Sequence, residues 1–202
     1  MLTAQTAYFE RKARGYLQAS GRGLWGRLRS AEWEALRACL DPAPGLSALD
    51  AGCGPGYYSL RLRGAGMEVG GIDPSPAMLA QYRAHGFDGR LGSIETFGTG
   101  RRYDRVLIAG VLEFVERPAR ALANMAGLLR ADGRLVCLVP ATGTAGTVYK
   151  VLHRLLGCPV FIREPSAYLR MAQRCGLTPV KSAKATPISF AFALQRSGRG
   201  RN

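Results

Sequence analysis

The chain has 202 residues, of which 47% are apolar, and it carries five cysteines and a net charge of +14. This length suits one domain with a full core, and the composition excludes a disordered chain. No apolar run reaches the roughly 18–20 residues that a membrane-spanning helix needs, and no two cysteines have a spacing typical of zinc or redox pairs. We therefore expect one metal-free globular domain in the cytoplasm, as a monomer or homodimer.

The positive charge has two interpretations. It reflects either an arginine-rich surface that is merely solvated, or an anionic partner such as RNA, a membrane surface or an acidic substrate. Part of the excess lies in residues 196–202, which we interpret as a disordered basic tail.

The first 44 residues are predicted to be helical. Apolar residues recur at helical spacing on both sides of a glycine-containing break at 20–23, and two prolines at 42 and 44 end the pattern. We interpret residues 1–44 as a helical lid over the core.

Residues 45–195 alternate between strand and helix patterns, which predicts a parallel sheet. The predicted strands are 46–50, 67–73, 87–91, 103–109, 133–139, 180–185 and 188–194. The predicted helices between them are 57–64, 75–85, 118–129, 148–156 and 166–175. The last two strands are expected to pair antiparallel at one sheet edge.

A glycine-rich turn, LDAGCGPG at 49–56, follows the first predicted strand and precedes a helix. Glycines allow positive φ and close approach of a ligand, and the following helix presents free N–H groups. Asp73 ends the second predicted strand, where a carboxylate can accept both hydroxyls of a ribose. The turn and Asp73 together predict a site for a nucleotide-like cofactor.

Four segments in the same order resemble the class I S-adenosylmethionine (SAM)-dependent methyltransferases, in particular those that act on small molecules. They are the turn at 49–56, GIDPSPAML at 71–79, RRYDRVLIAGVLEFV at 101–115 and LLRADGRL at 128–135. The resemblance implies a Rossmann-like α/β fold. That fold has a mostly parallel seven-stranded sheet with helices on both faces, an antiparallel C-terminal strand and an N-terminal helical cap.

The resemblance also implies which residues bind SAM, without a metal. The glycine turn would lie beneath the methionine part, Asp50 would help hold its ammonium group, and Asp73 would take the ribose hydroxyls. The implied cofactor-binding residues are Tyr16, Asp50, Gly52, Cys53, Gly54, Gly56, Asp73, Pro74, Met78, Ser93, Ile94, Ala109 and Gly110. Asp50 and Asp73 also fit helix caps, Met78 fits the core, and Tyr16 fits a half-buried aromatic on an amphipathic helix.

Two positions depart from the family pattern. Ser93 stands where relatives often carry an aspartate that contacts the adenine, which leaves Ser93 or the Ile94 backbone for that contact. Phe114 stands where relatives often carry a histidine, so no catalytic base is identified from the motif.

The substrate side is less defined. Tyr16 and His153 are the weak catalytic candidates, and Tyr8 and His153 the substrate-binding candidates, while His153 also fits a surface histidine. Residues 149–156 are basic and amphipathic, which fits a lid helix better than a membrane-surface helix.

Methyl transfer from SAM to an oxygen or nitrogen of a small biosynthetic molecule is the function these features favour. An RNA methyltransferase is the alternative that the charge supports, although no RNA-binding module is recognisable. A SAM-binding partner subunit without methylation activity is a further alternative. A nicotinamide dehydrogenase fits less well, because the third glycine of its G-x-G-x-x-G turn is absent.

Overall fold

The computed structural model describes residues 3–197, except for the side chain of Ala145. It contains one seven-stranded sheet with the strand order β3-β2-β1-β4-β5-β7-β6. The strands are β1 Ser47–Ala51, β2 Glu68–Asp73, β3 Asp88–Leu91, β4 Tyr103–Ala109, β5 Leu129–Pro140, β6 Leu177–Thr186 and β7 Ser189–Arg196. Neighbouring strands from β3 to β5 are parallel, whereas β7 is antiparallel to both β5 and β6. The predicted fold class is confirmed.

Eight helices accompany the sheet in the described part of the chain. They are α1 Ala4–Lys12, α2 Tyr16–Ser20, α3 Gly23–Leu40, α4 Tyr57–Gly64, α5 Pro76–Ala84, α6 Pro118–Gly127, α7 Thr144–Leu155 and α8 Pro165–Arg174. A 3₁₀ turn, Leu112–Phe114, follows β4. No helix among residues 3–197 is long and apolar enough to cross a membrane.

Two elements begin four residues earlier than predicted: β5 at Leu129 rather than at 133, and α7 at Thr144 rather than at 148. Tyr103 pairs with Leu129 and Arg105 with Arg134, so the strand absorbs the intervening Ala-Asp-Gly as a bulge. A turn-like sequence is thereby kept in the sheet, and α6 ends two residues earlier than predicted.

Residues 1–44 were predicted to form a helical lid, but the last part of this segment belongs to the core. The second half of α3 belongs to the core, since Leu36 and Leu40 are fully buried in a cluster with Val136 of β5 and Ala193 of β7. The first half of α3, with α1 and α2, borders the functional cavity instead. Apolar spacing predicted this helix but not its partners, because they are distant in sequence.

The predicted disordered tail begins too early. Arg196 still pairs with Leu177 in the sheet, and the Ser197 backbone N–H donates to the Gly176 carbonyl (2.8 Å). Residues 198–202 lie outside the described residues.

The strand order reverses direction between β1 and β4, and the connections from these strands leave to opposite sides. A crevice therefore opens at the carboxyl ends of the strands. The glycine-rich turn after β1, Asp73 at the end of β2 and the 3₁₀ turn after β4 all lie at this edge.

Candidate functional site

The glycine-rich turn after β1 holds three glycines in left-handed backbone conformations. Gly52, Gly54 and Gly56 have φ of 85°, 51° and 98°. The N–H groups of Gly52 and Cys53 both donate to the Ile72 carbonyl (2.7 and 2.9 Å), which fixes the turn to β2. A Cβ added to Gly52 would also collide with the Val111 side chain. The turn is therefore restricted to glycine by conformation and by space.

Asp73 links this turn to the start of α5. Its Oδ2 accepts a hydrogen bond from the Gly54 N–H and its Oδ1 from the Ser75 N–H, both 2.9 Å long. A carboxylate has about four acceptor positions, so the side chain can still accept two hydroxyl groups. Ser75, rather than Asp73, is the N-cap of α5, because its Oγ accepts from the Met78 N–H (3.1 Å).

A cavity of about 1430 Å³ opens above this edge of the sheet and is walled by α1, α2, α3, α7 and the loops after β1, β2, β3 and β4. Pockets for a single drug-sized ligand usually measure about 300–1,000 Å³. The volume therefore has room for two ligands side by side.

Most of the residues predicted for the site line this cavity. They are Tyr8, Tyr16, Gly52, Cys53, Gly54, Asp73, Pro74, Met78, Ser93, Ile94, Ala109, Gly110 and His153. Asp50 and Gly56 do not line it: Asp50 accepts a hydrogen bond from the Ser59 hydroxyl (2.7 Å), and Gly56 lies against the Tyr82 ring. Asp50 would therefore reach a ligand only through a water molecule or after a movement of the turn.

Three carboxyl groups are buried in or behind this wall. Burial raises the pKa of Asp50 and of Asp73 to about 6, and that of Glu113 to about 7. Hydrogen bonds from Ser59 to Asp50, and from Gly54 and Ser75 to Asp73, oppose the effect without cancelling it. A positively charged ligand would stabilise the ionised forms, whereas a pyrophosphate group would be repelled.

Glu113 is a site residue that sequence reasoning missed. It lies in the 3₁₀ turn after β4, lines the cavity and is only 3% exposed. The acid lies beside Phe114, shortly after the predicted fourth strand, and this position was its only signal in the sequence.

Three buried polar atoms have no hydrogen-bond partner within the described residues: Glu113 Oε2, Arg29 Nε and Tyr57 Oη. All three belong to residues that line the cavity. Since buried polar groups are nearly always paired in native proteins, a water molecule or a ligand is needed to complete their hydrogen bonds.

Arg29 brings a positive charge to the opposite wall. Its guanidinium donates to the hydroxyls of Tyr58 (3.0 Å) and Tyr16 (3.3 Å), and Tyr58 donates to Glu32 (2.9 Å). Burial acts to lower the pKa of Arg29, but Tyr58, Tyr16 and Glu32 outweigh it and the pKa is raised. Arg29 thus stays charged beside the cavity, where it suits a carboxylate.

Aromatic rings form the part of the cavity under the N-terminal helices. The Phe9 ring centroid lies 5.1 Å from that of Phe114, and His153 lies 6.1 Å from both Tyr8 and Phe114. The His153 Nδ1 is 3.1 Å from the Tyr149 carbonyl, and burial lowers its pKa. This aromatic chamber suits a flat, apolar group.

Part of the chain is similar in sequence to known proteins. Residues 49–137 match the family model described as a methyltransferase domain. A tRNA U34 carboxymethyltransferase of Aeromonas salmonicida is 32% identical over 165 residues, which is 74% of this chain and 50% of that protein. That of Methylococcus capsulatus is 35% identical over 127 residues, or 58% of this chain and 39% of that protein. The chain therefore spans about half or less of these relatives.

The fold of nearly the whole chain is similar to that of several solved structures. The magnesium protoporphyrin IX methyltransferase of Synechocystis PCC 6803 with bound SAH superimposes with a TM-score of 0.76 at 20% identity, covering 95% of this chain and 98% of that one. A Thermotoga maritima SAM-dependent methyltransferase, described as a possible histamine N-methyltransferase, gives 0.77 at 17% identity, covering 95% and 99%.

The sheet order and these structural similarities define the fold. The chain has the Rossmann-like fold seen in SAM-dependent methyltransferases, and residues 49–137 match the family model described as a methyltransferase domain.

Proposed function

We propose that this protein is a SAM-dependent methyltransferase. The observation that carries the proposal is Asp73, which the Gly54 and Ser75 N–H groups hold at the cavity wall with acceptor positions free for the ribose hydroxyls. Met78 and Ile94 are buried beside the cavity and would flank the adenine, with Pro74 and Ser93 nearby. SAM also brings a positive charge, which suits the buried carboxyl groups.

The methionine part of the cofactor would lie across the glycine turn, with Ala109 and Gly110 below it. Arg29, whose Nε lacks a partner, would hold the carboxylate of that part. A nicotinamide dinucleotide fits less well, because the third glycine of the G-x-G-x-x-G turn that binds its pyrophosphate is absent.

When bound, SAM supplies a methyl group on a positively charged sulfur, which is an excellent leaving group. The protein must then align the acceptor and receive its proton. Glu113 is the candidate for this role, because it lines the cavity and burial raises its pKa to about 7. We assign the carboxyl group of Glu113 as the proton acceptor. Tyr8, Phe9 and His153 would hold the acceptor molecule.

An RNA base is the acceptor that the sequence relatives support, since they are named as enzymes of tRNA U34. The net charge of +14 agrees with an anionic partner. The comparisons therefore support the RNA alternative better than the small molecule that the sequence patterns favoured.

A small apolar molecule is the second candidate, and the aromatic chamber under α1 and α7 is the observation that favours it. Residues of both helices line the cavity beside this chamber.

Two measurements test the proposal. Calorimetric titration should show micromolar binding of SAM and SAH, and binding of NADH alone would overturn the methyltransferase assignment. Methyl transfer from tritiated SAM to a bulk tRNA mixture, compared with transfer to an extract of small molecules and lipids, then separates the two acceptors. Label recovered only in nucleotides establishes RNA, and label recovered only in the organic phase excludes it.

A further inference from the structure

The mouth of the cavity is rimmed by exposed apolar side chains. Most of the large exposed apolar residues in the described part of the chain lie on the first turn of α3 and along α7. We call them the apolar rim: Leu24, Trp25, Val148, Val151, Leu152, Leu155 and Leu156. Trp25 on one side and Val148, Leu152 and Leu156 on the other line the same cavity. The two groups therefore border one opening.

The side chains of the apolar rim are largely exposed to solvent. Leu155 is 80% exposed, Leu24 74% and Val148 63%. Val148, Val151, Leu152 and Leu155 follow the i, i+3, i+4, i+7 spacing, so they form one continuous stripe along α7. Contiguous exposed apolar surface of this kind marks an interaction site.

The charged residues next to the apolar rim in the sequence are all positive. Arg22 and Arg27 flank Leu24 and Trp25, and Lys150 and Arg154 lie on α7; all four are exposed. No acidic residue occurs between Glu10 and Glu32, nor between Asp132 and Glu164. The partner that complements this surface is apolar in its interior and anionic at its surface.

We propose that the apolar rim docks onto an anionic phospholipid bilayer, so that the cavity opens toward the lipid. A helix with an apolar stripe beside lysine and arginine is the form that lies in a membrane interface. Trp25 suits the headgroup level, and the long basic side chains reach the phosphates while their stems stay on apolar surface. An RNA surface fits less well, because the rim is mainly aliphatic and offers bases one exposed ring for stacking.

This proposal goes beyond methyl transfer and does not depend on it. For the second candidate acceptor, a small apolar molecule, docking would provide a route into the aromatic chamber directly from the bilayer. Docking can be measured without cofactor or acceptor, so its failure and the failure of the proposed function are distinguishable.

The test is co-sedimentation of the full chain with vesicles of phosphatidylcholine alone or with 30% phosphatidylglycerol. We expect binding to the anionic vesicles that weakens as salt is raised. The double variant Val151→Glu/Leu155→Glu should reduce the partition coefficient roughly tenfold or more. Neither residue lines the cavity, so its SAM affinity should match that of the unaltered protein and report correct folding.

Leu91→Glu is the control, since Leu91 is 61% exposed on the edge strand β3 and is not among the residues that line the cavity. It introduces the same kind of charge and should leave vesicle binding unchanged. Equal losses in Leu91→Glu and the double variant would overturn the proposal, as would absence of binding to anionic vesicles. A rim-dependent dimer in light scattering, or rim-dependent binding of tRNA without vesicle binding, would assign the surface to another partner and also overturn it.

Discussion

Glu10 of α1 accepts a hydrogen bond from the Ser75 hydroxyl (2.6 Å) at the N-terminus of α5, and a second from the Ala77 N–H (3.1 Å). The acid lies where the helix dipole favours negative charge. This contact holds α1 across the cavity, directly above the loop that carries Asp73. The N-terminal helices are thus fastened to the proposed cofactor side of the site.

Glu10→Ala should therefore loosen the lid. Loss of two hydrogen bonds to a charged acceptor costs about 1–3 kcal/mol, and we expect the Kd for SAM to rise roughly tenfold, mainly through faster dissociation. Stopped-flow fluorescence and calorimetry measure both quantities. Glu34→Ala is the control, because Glu34 pairs only with Arg37 on the exposed side of α3. Equal effects of the two variants would show that Glu10 has no specific role in the lid.

Asp73→Asn should weaken SAM binding about 100-fold. The amide nitrogen cannot accept from Gly54 or Ser75, so one of these N–H groups loses its partner and one ribose hydroxyl loses its acceptor. Asp88→Asn, at an exposed position of β3, is the control for the change in charge. Unchanged affinity for SAM in Asp73→Asn would refute the assigned cofactor position.

Glu113→Gln tests the proton acceptor. The rate of methyl transfer by the unaltered protein should rise with pH through about 7, because the ionised carboxylate accepts the proton. The glutamine variant should lose about 10²–10⁴-fold in kcat and lose this pH dependence, with its KM for SAM nearly unchanged. If the KM of the glutamine variant for SAM rises as its kcat falls, or if its pH profile is unaltered, Glu113 only supports the structure.

The same substitution has an effect on stability whose sign follows from the raised pKa. The folded state favours protonated Glu113, so its stabilising contribution is complete below the ordinary glutamate pKa of about 4.3 and is lost as pH rises through about 7. Glu113→Gln should therefore raise the Tm at pH 8 and change it little near pH 4. Thermal unfolding across this range without SAM provides the measurement, and an equal shift at both pH values would contradict the pKa argument.

Gly52→Ala should destabilise the protein by about 1–3 kcal/mol and abolish SAM binding, since the alanine Cβ adds backbone strain and a collision with Val111. The double variant Gly52→Ala/Val111→Ala removes the collision but keeps the strain. We expect it to recover part of the stability, as measured by denaturant unfolding. No recovery would show that the positive φ accounts for the whole effect.

The sequence was sufficient to predict the features that depend on local pattern. The glycine turn at 49–56, Asp73 and the alternation of strands and helices all follow from residue types at short spacing, and Gly52 and Asp73 both border the cavity. The position of Asp50 behind the turn was not predictable in the same way, because it depends on the Ser59 side chain of α4.

Glu113 shows why the rest of the site escaped prediction. Its chemistry comes from burial, and its surroundings are contributed by residues distant in sequence, such as Arg29 and Phe161, whose N–H donates to the Glu113 carbonyl (2.6 Å). The sequence contained the residue but no local signal for the raised pKa. The exposure of Leu155 likewise depends on which face of α7 is left uncovered.

The packing of α3 against the last two strands has a consequence for how the molecule assembles. Residues 23–40 and 177–196 form one half of the core, and β7 inserts between β5 and β6. Closing this contact requires the two ends of the described chain to meet, and such long-range pairings carry the largest entropic cost and form late in folding. The half-sheet from β3 to β5 can order first, which leaves the outer edge of β5 temporarily open to pairing with another chain. Newly made protein is thus exposed to aggregation at a strand that lies inside the finished sheet.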